Sequence, residues 1–262
     1  MSIITLTTDL GYKDQYVAQI KANIITQSPN TRIIDISHQV QKYNIQHASY
    51  ILKNCYKEFP PKTIHFIGVN SGENTNKVIA VYADNHYFIS FDNGIFSLLL
   101  DKIPDEIVNI KMSNNTNYKN FPEKDIFVNA ACHISRGGEL DVIGEKIQDF
   151  EIKKSSIKVA FEQNVIRGTV IHIDSYGNAI TNIDLNTFKS IGKQRPFSIY
   201  IGHNTEINKI HSTYSDVEKG ELIAFFINNQ LLQISQNQGS AENLIVRLGD
   251  MIRIDFNKKH NV

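Results

Sequence analysis

Two carboxylates near the amino terminus are the first residues able to do chemistry. Asp9 and Asp14 stand in Leu6-Thr7-Thr8-Asp9-Leu10-Gly11-Tyr12-Lys13-Asp14-Gln15-Tyr16. A β-branched run at 3–7 precedes them, and Tyr16, Val17, Ile20, Ile24 and Ile25 follow at helical spacing. The stretch reads as a strand, a tight turn and a helix. In an open α/β sheet ligands bind beyond the carboxyl ends of the strands, so both side chains stand where a ligand would sit. An ionised carboxylate accepts hydrogen bonds at two oxygens, which suits a ribose diol at Asp9 or an ammonium group at Asp14. An N-cap is the plainer use of an Asp ahead of a helix. A second polar segment, Asp174-Ser175-Tyr176-Gly177-Asn178, interrupts a long apolar strand. Asp174 suits a cationic group there, and Asn178 can pair with a purine edge through both halves of its amide; a hairpin turn uses the same residue types.

The elements that must position these groups follow from the hydrophobic pattern. Runs at 32–36, 63–69, 78–82, 86–90 and 108–110 read as strands, with a hairpin across Asp84-Asn85, and 44–56 and 126–135 read as helices. Polar loops at 70–77 and 114–124 follow strands, the usual place for site residues. His38, just after the second strand, reads as a loop or capping residue. Beyond Lys153 the helical spacing stops, and short β-branched and aromatic runs separated by turns take over. The expected class is α/β, with a mostly parallel α/β sheet domain at 1–153 and an all-β, barrel-like domain at 154–262.

Composition narrows the partners. Lys plus Arg equals Asp plus Glu at 27 each, so no net charge draws the chain to a nucleic acid or an anionic membrane. No apolar run approaches a membrane span, and the chain enters its first strand without a secretory signal pattern, so a cytoplasmic location is expected. Cys55 and Cys132 are far apart and lack a zinc-like neighbourhood, so no metal site is expected. The dinucleotide, phosphate-loop and zinc-protease motifs are all absent from the sequence.

Seven short motifs stand in the order found in one family. They are Thr-Asp-Leu-Gly-x-x-Asp-x-Tyr-Val-Ala at 8–18, Ile-Asp-Ile-Ser-His at 34–38, Thr-Ile-His at 63–65, Asp-Asn-Gly at 92–94, Asp-Ile-Phe at 125–127, Ile-Asp-x-Tyr-Gly-Asn-x-Ile-Thr-Asn-Ile at 173–183 and Gly-Ser-Ala at 239–241. Over nearly its whole length the chain resembles the S-adenosyl-L-methionine hydroxide adenosyltransferases, relatives of fluorinase and chlorinase. The resemblance implies an adenosyl-binding α/β domain, a barrel-like second domain and a homotrimer with S-adenosylmethionine, as substrate and not cofactor, bound between subunits. Family members split that ligand by attack of water or halide at C5′, releasing methionine. The resemblance makes Asp9 the ribose clamp, Asp14 and Asp174 contacts for the methionine amino end, Tyr43 an aromatic wall and Asn178 the adenine reader. Asn228-Asn229-Gln230 matches, more loosely, a segment facing the methionine carboxylate and adenine, with Asn229 as the candidate contact.

The departures bear on catalysis. Family hydrolases carry an Asp, an Arg and a His that handle the water; here those positions are Asn70, Lys77 and Pro122. Asn takes no proton, Pro has no polar side chain and Lys lacks the planar fork. Attacking water must lose a proton, so another base is required, and Glu73 and Glu123 fall on the two altered segments. Their charges also disfavour halide as nucleophile. Solvated loop carboxylates are the plainer reading of both. Hydrolysis of S-adenosylmethionine to adenosine and methionine therefore stands beside a non-catalytic, adenosyl-binding or scaffold role, with halogenation behind both.

Overall fold

The computed structural model describes residues 1–69, 77–111, 121–153, 159–202, 205–239 and 246–257. The chain divides into two compact units, Met1–Ser155 and Ser156–Val262.

The first unit is a seven-stranded sheet flanked by helices. In chain order its elements are β1 (Ile3–Thr8), α1 (Tyr16–Gln27), β2 (Arg32–Ser37), α2 (Ile45–Lys53), β3 (Ile64–Gly68), β4 (Val78–Ala83), β5 (His86–Phe91), α3 (Ile95–Leu99), β6 (Glu106–Ile110), α4 (Val128–Ser135), α5 (Leu140–Ile143) and β7 (Gly144–Lys146). The strand order is β2-β1-β3-β5-β4-β6-β7. The β2, β1, β3 and β5 strands are parallel, whereas β4, β6 and β7 join antiparallel, so the sheet is mixed rather than mostly parallel. The hairpin is the cause: Asp84 (φ 50°) and Asn85 (φ 65°) are both left-handed, the geometry of a two-residue type I′ turn that reverses the chain.

Both faces of this sheet are buried. Ile20 and Ile24 of α1 and Ala130, Ala131 and Ile134 of α4 belong to one core with Ile4, Leu6 and Phe66. Ala48 and Leu52 of α2 and Phe96 and Leu99 of α3 belong to the other, with Ile67, Val81 and Phe88. Burial on both sides explains why β3 and β5 read as nearly continuous apolar runs. The chain leaves β1 towards one face, through α1, and returns to β3 from the other, through α2. The carboxyl ends of β1 and β3 therefore flank a topological switch point, where open α/β sheets place their ligands.

The second unit is an antiparallel, nearly closed barrel. Its elements are β8 (Ala160–Glu162), β9 (Val165–Ile173), β10 (Ala179–Asp184), α6 (Leu185–Gly192), β11 (Phe197–Ile201), β12 (Thr205–Ile207), β13 (Leu222–Phe226), β14 (Leu231–Gln236) and β15 (Met251–Phe256). The order is β12-β11-β15-β9-β10-β14-β13, with β8 also on β9. The His211 N–H, just past β12, donates to the Ala224 carbonyl of β13 at 2.8 Å and draws the two ends of the sheet together. Gly168 lets the Ile183 side chain of β10 pack directly on the β9 backbone, because a Cβ there would overlap it.

A helix interrupts this unit where the sequence pattern suggested none. The Asp184 carboxylate accepts from the Thr187 N–H at 2.9 Å and caps α6, and Phe188 and Ile191 pack on the barrel core. With eight residues, four of them Asn, Thr, Lys and Ser, α6 is held by its cap and its apolar contacts more than by propensity.

Candidate functional site

The site is built on the carboxyl end of β1. Asp9 follows the strand directly, and Gly11 (φ 72°) turns the chain toward α1. The N-cap of α1 is Gln15, so neither Asp9 nor Asp14 spends its carboxylate there. Asp9 is buried, and its Oδ2 accepts the Tyr43 N–H at 2.9 Å. Burial raises the Asp9 pKa, opposed by the Tyr43 N–H and the nearby Lys42 charge. Tyr43 itself is left-handed (φ 63°) and 64% exposed. A bulky residue in that region is uncommon. Asp14 is exposed on the turn before α1.

Glu123 reaches the same place from a different part of the chain. It begins a π-helical turn, Glu123–Phe127, that leads into α4, and it is only 7% exposed. A Cβ on Gly68, the last residue of β3, would lie 3.0 Å from Glu123 Cγ and 3.3 Å from Thr8 Cγ2, so Glu123 lies over the ends of β3 and β1. This corrects the solvated-loop reading of Glu123. Burial pushes its carboxyl pKa up; its own backbone N–H opposes that, and the like charge of Asp9 adds to it. Widened helical turns recur at functional sites because they aim a side chain out of regular register.

The remaining candidates separate. Lys77 places its ammonium 2.7 Å from Asp92 Oδ2, and Asp92 Oδ1 accepts the Glu151 N–H at 2.7 Å. The Lys77 charge is therefore committed to a partly buried ion pair, and Asn93 holds the end of β3 through the Val69 carbonyl. Asn70 and Glu73 lie outside the described residues.

In the second unit Asp174 organises its own loop. Its Oδ1 accepts the Tyr176 and Asn178 N–H groups, both at 2.9 Å, and its Oδ2 accepts Asn178 Nδ2 at 2.8 Å. Half of the Asn178 amide is thus already engaged, and Tyr176 is 78% exposed at the tip. Asn229 sits in the β13–β14 turn, where its Oδ1 accepts the Leu231 N–H, not within a strand. Ala179 faces Ile234 and Asp184 faces Leu231, so that turn lies at the opposite end of β10 from Asn178. Within the unit Asp174 and Asn178 come together and Asn229 does not.

One cluster escaped the sequence reading. His38 is 1% exposed; its Nδ1 lies 2.7 Å from Thr8 Oγ1 and its Nε2 lies 3.2 Å from Asp35 Oδ1. The available signal was Asp35 and His38 three apart at the end of a strand that neighbours β1. No group of three or more His, Cys, Asp or Glu fit to hold a metal occurs among the described residues. Among them, too, no helix is long and apolar enough to cross a membrane. Cys55 and Cys132 are both unpaired thiols.

The first unit thus offers two buried carboxylates at a switch point, both with pKa raised by burial, near an exposed tyrosine. Such a pair attracts a cation and can take a proton from water. Comparison with known proteins agrees in length and fold. Residues 4–144 match the SAM hydroxide adenosyltransferase N-terminal domain, and residues 168–253 match the C-terminal domain. The chain is 29% identical over 260 residues to an (R)-S-adenosyl-L-methionine hydrolase of Methanocaldococcus jannaschii, covering 94% of this chain and 92% of the relative. It is 19% identical over 282 residues to a fluorinase of Nocardia brasiliensis, covering 91% of each. A crystal structure of an uncharacterized conserved protein from Thermotoga maritima superposes with a TM-score of 0.84 at 30% identity, covering 97% of this chain and 100% of that one. The chain belongs to the SAM hydroxide adenosyltransferase family.

Proposed function

We propose that this protein hydrolyses S-adenosyl-L-methionine to adenosine and L-methionine, with Glu123 as the base that replaces the family's water-handling residues. The observation that carries the reading is the burial of Glu123 beside Asp9 at the switch point. A base works best when its pKa lies near the operating pH, and burial with a like charge moves a carboxyl in that direction. Water attacks C5′ as the C5′–S bond breaks. The bonding pair leaves with sulfur as a neutral thioether, and the proton of water passes to the Glu123 carboxylate. The leaving group needs no acid, so the loss of a His at position 122 does not block the step.

The other assignments follow from the family. Asp9 holds the ribose, Tyr43 walls the nucleoside, Asp14 and Asp174 meet the methionine amino end, and Asn178 reads adenine. The family resemblance also suggests a homotrimer with ligand between copies, and the balanced charge of 27 basic and 27 acidic residues fits a cytoplasmic protein without a nucleic-acid or membrane partner. A second reading, an adenosyl-binding protein without turnover, is favoured by the commitment of Lys77 to Asp92. Glu123→Gln separates the two. The hydrolase reading expects turnover to fall by about 10²-fold or more, the usual contribution of a general base, with S-adenosylmethionine affinity retained by calorimetry. An unchanged rate removes Glu123 from the mechanism.

A further inference from the structure

His38 touches the chain on both sides of Asp9. Its Nδ1 lies 2.7 Å from Thr8 Oγ1, one residue before Asp9. Its carbonyl accepts the Gly11 N–H at 2.7 Å, two residues after. Its ring meets Tyr12 edge to face at 4.9 Å. The Nε2 edge faces Asp35 Oδ1 at 3.2 Å, off-axis, and the Tyr12 hydroxyl donates to the other oxygen of that carboxylate at 3.3 Å. Burial works against the Asp35 charge, but Lys21 and His38 hold its pKa below the ordinary range, so Asp35 stays an acceptor. An acceptor beside Nε2 keeps the proton on that nitrogen. Nδ1 then accepts from the Thr8 hydroxyl, and Thr8 Oγ1 is free to accept the Leu10 N–H at 3.3 Å.

Carboxylate, imidazole and hydroxyl in this order also describe an activated nucleophile. Thr8 decides against that: it is fully buried, so its hydroxyl meets no substrate. We infer that His38 is a positioning residue, locking the Thr8-to-Gly11 turn so that the Asp9 carboxylate is held on the Tyr43 N–H and toward the crevice. The His38 pKa, lowered chiefly by burial and opposed by Asp35, keeps the ring neutral for this role. The inference rests on the reading of Asp9 as a ligand contact, but the lock itself is a property of the chain without ligand.

The Tyr43 amide reports it directly, because its hydrogen bond ends on Asp9. Hydrogen exchange is measured by NMR in the wild type, Thr8→Val, His38→Gln and Thr8→Ser. Thr8→Val and His38→Gln are expected to speed Tyr43 exchange at least tenfold while amides of β5 keep their protection, and Thr8→Ser to restore it. Unchanged Tyr43 exchange in both variants, or equal loss across the sheet, overturns the inference. Calorimetry with S-adenosylmethionine on the same proteins keeps the two readings apart. Absence of wild-type binding sinks the proposed function, while Tyr43 exchange still decides the lock.

Discussion

Acid should unfold this protein through His65. The residue lies in β3, fully buried, with Nδ1 2.8 Å from Thr5 Oγ1, Nε2 3.2 Å from His86 Nδ1 and its ring stacked 4.9 Å from Phe88. Burial first, and the neighbouring His86 second, lower its pKa from 6.5 to about 3. The unfolded chain therefore takes a proton on His65 well before the folded chain does. Stability is complete above the unfolded pKa and drains away as pH falls from about 6.5 toward 3. Each pH unit inside that window is worth about 1.4 kcal/mol, so moving from pH 7 to pH 5 costs about 2 kcal/mol through this residue. Urea unfolding followed by circular dichroism at pH 7, 6 and 5 measures it, with His65→Gln as the reference. The variant is less stable at pH 7, and its deficit should shrink by about 2 kcal/mol at pH 5 because it has no proton to take up. Parallel pH dependence in the two proteins would refute the reasoning.

Further consequences concern the site and the barrel. Gly68→Ala places a methyl 3.0 Å from Glu123 Cγ, 3.2 Å from the Phe66 ring and 3.3 Å from Thr8 Cγ2. Such overpacking should cost about 1–3 kcal/mol in a thermal melt and displace Glu123, lowering turnover; an unaltered melt and rate would show that Glu123 does not lie over β3. Asp184→Ala removes the α6 cap and should cost about 1 kcal/mol, read by urea unfolding, with Asp184→Asn recovering most of it. Glu123→Gln should gain stability relative to wild type as pH rises. A carboxyl with a raised folded pKa loses stability with rising pH because the unfolded chain releases its proton first, and Gln has no proton to release. A stability difference that is flat from pH 4 to pH 8 would contradict the burial of Glu123.

Local signals carried much of the fold. The break at Asp9 and Gly11 marks the β1–α1 turn, and Asp84-Asn85 marks the hairpin, because left-handed backbone at Gly11, Asp84 and Asn85 restricts residue type there. The antiparallel pairing of β4 with β5 follows from that hairpin, but the antiparallel addition of β6 was not legible, since its apolar run has the texture of a parallel strand, and the short polar β7 gave no strand signal. The α6 helix hid in a short polar segment whose order comes from one cap and two apolar contacts. At the site, the motif order pointed to Asp9, but Glu123 looked like loop because its burial depends on β3 and β1, more than fifty residues away in the chain. His38 was passed over for the same reason. Its Thr8 partner on β1 is a tertiary neighbour, and the local Asp35–His38 spacing alone does not separate a lock from a loop.

The central claim is that this chain turns over S-adenosylmethionine despite Asn70, Lys77 and Pro122 at the altered positions. Its most direct test is mass spectrometry of adenosine and methionine after incubating purified protein with S-adenosylmethionine, beside a buffer blank that accounts for spontaneous decay. The account predicts equimolar adenosine and methionine in excess of the blank, abolished in Asp9→Ala. Product no greater than the blank would contradict it.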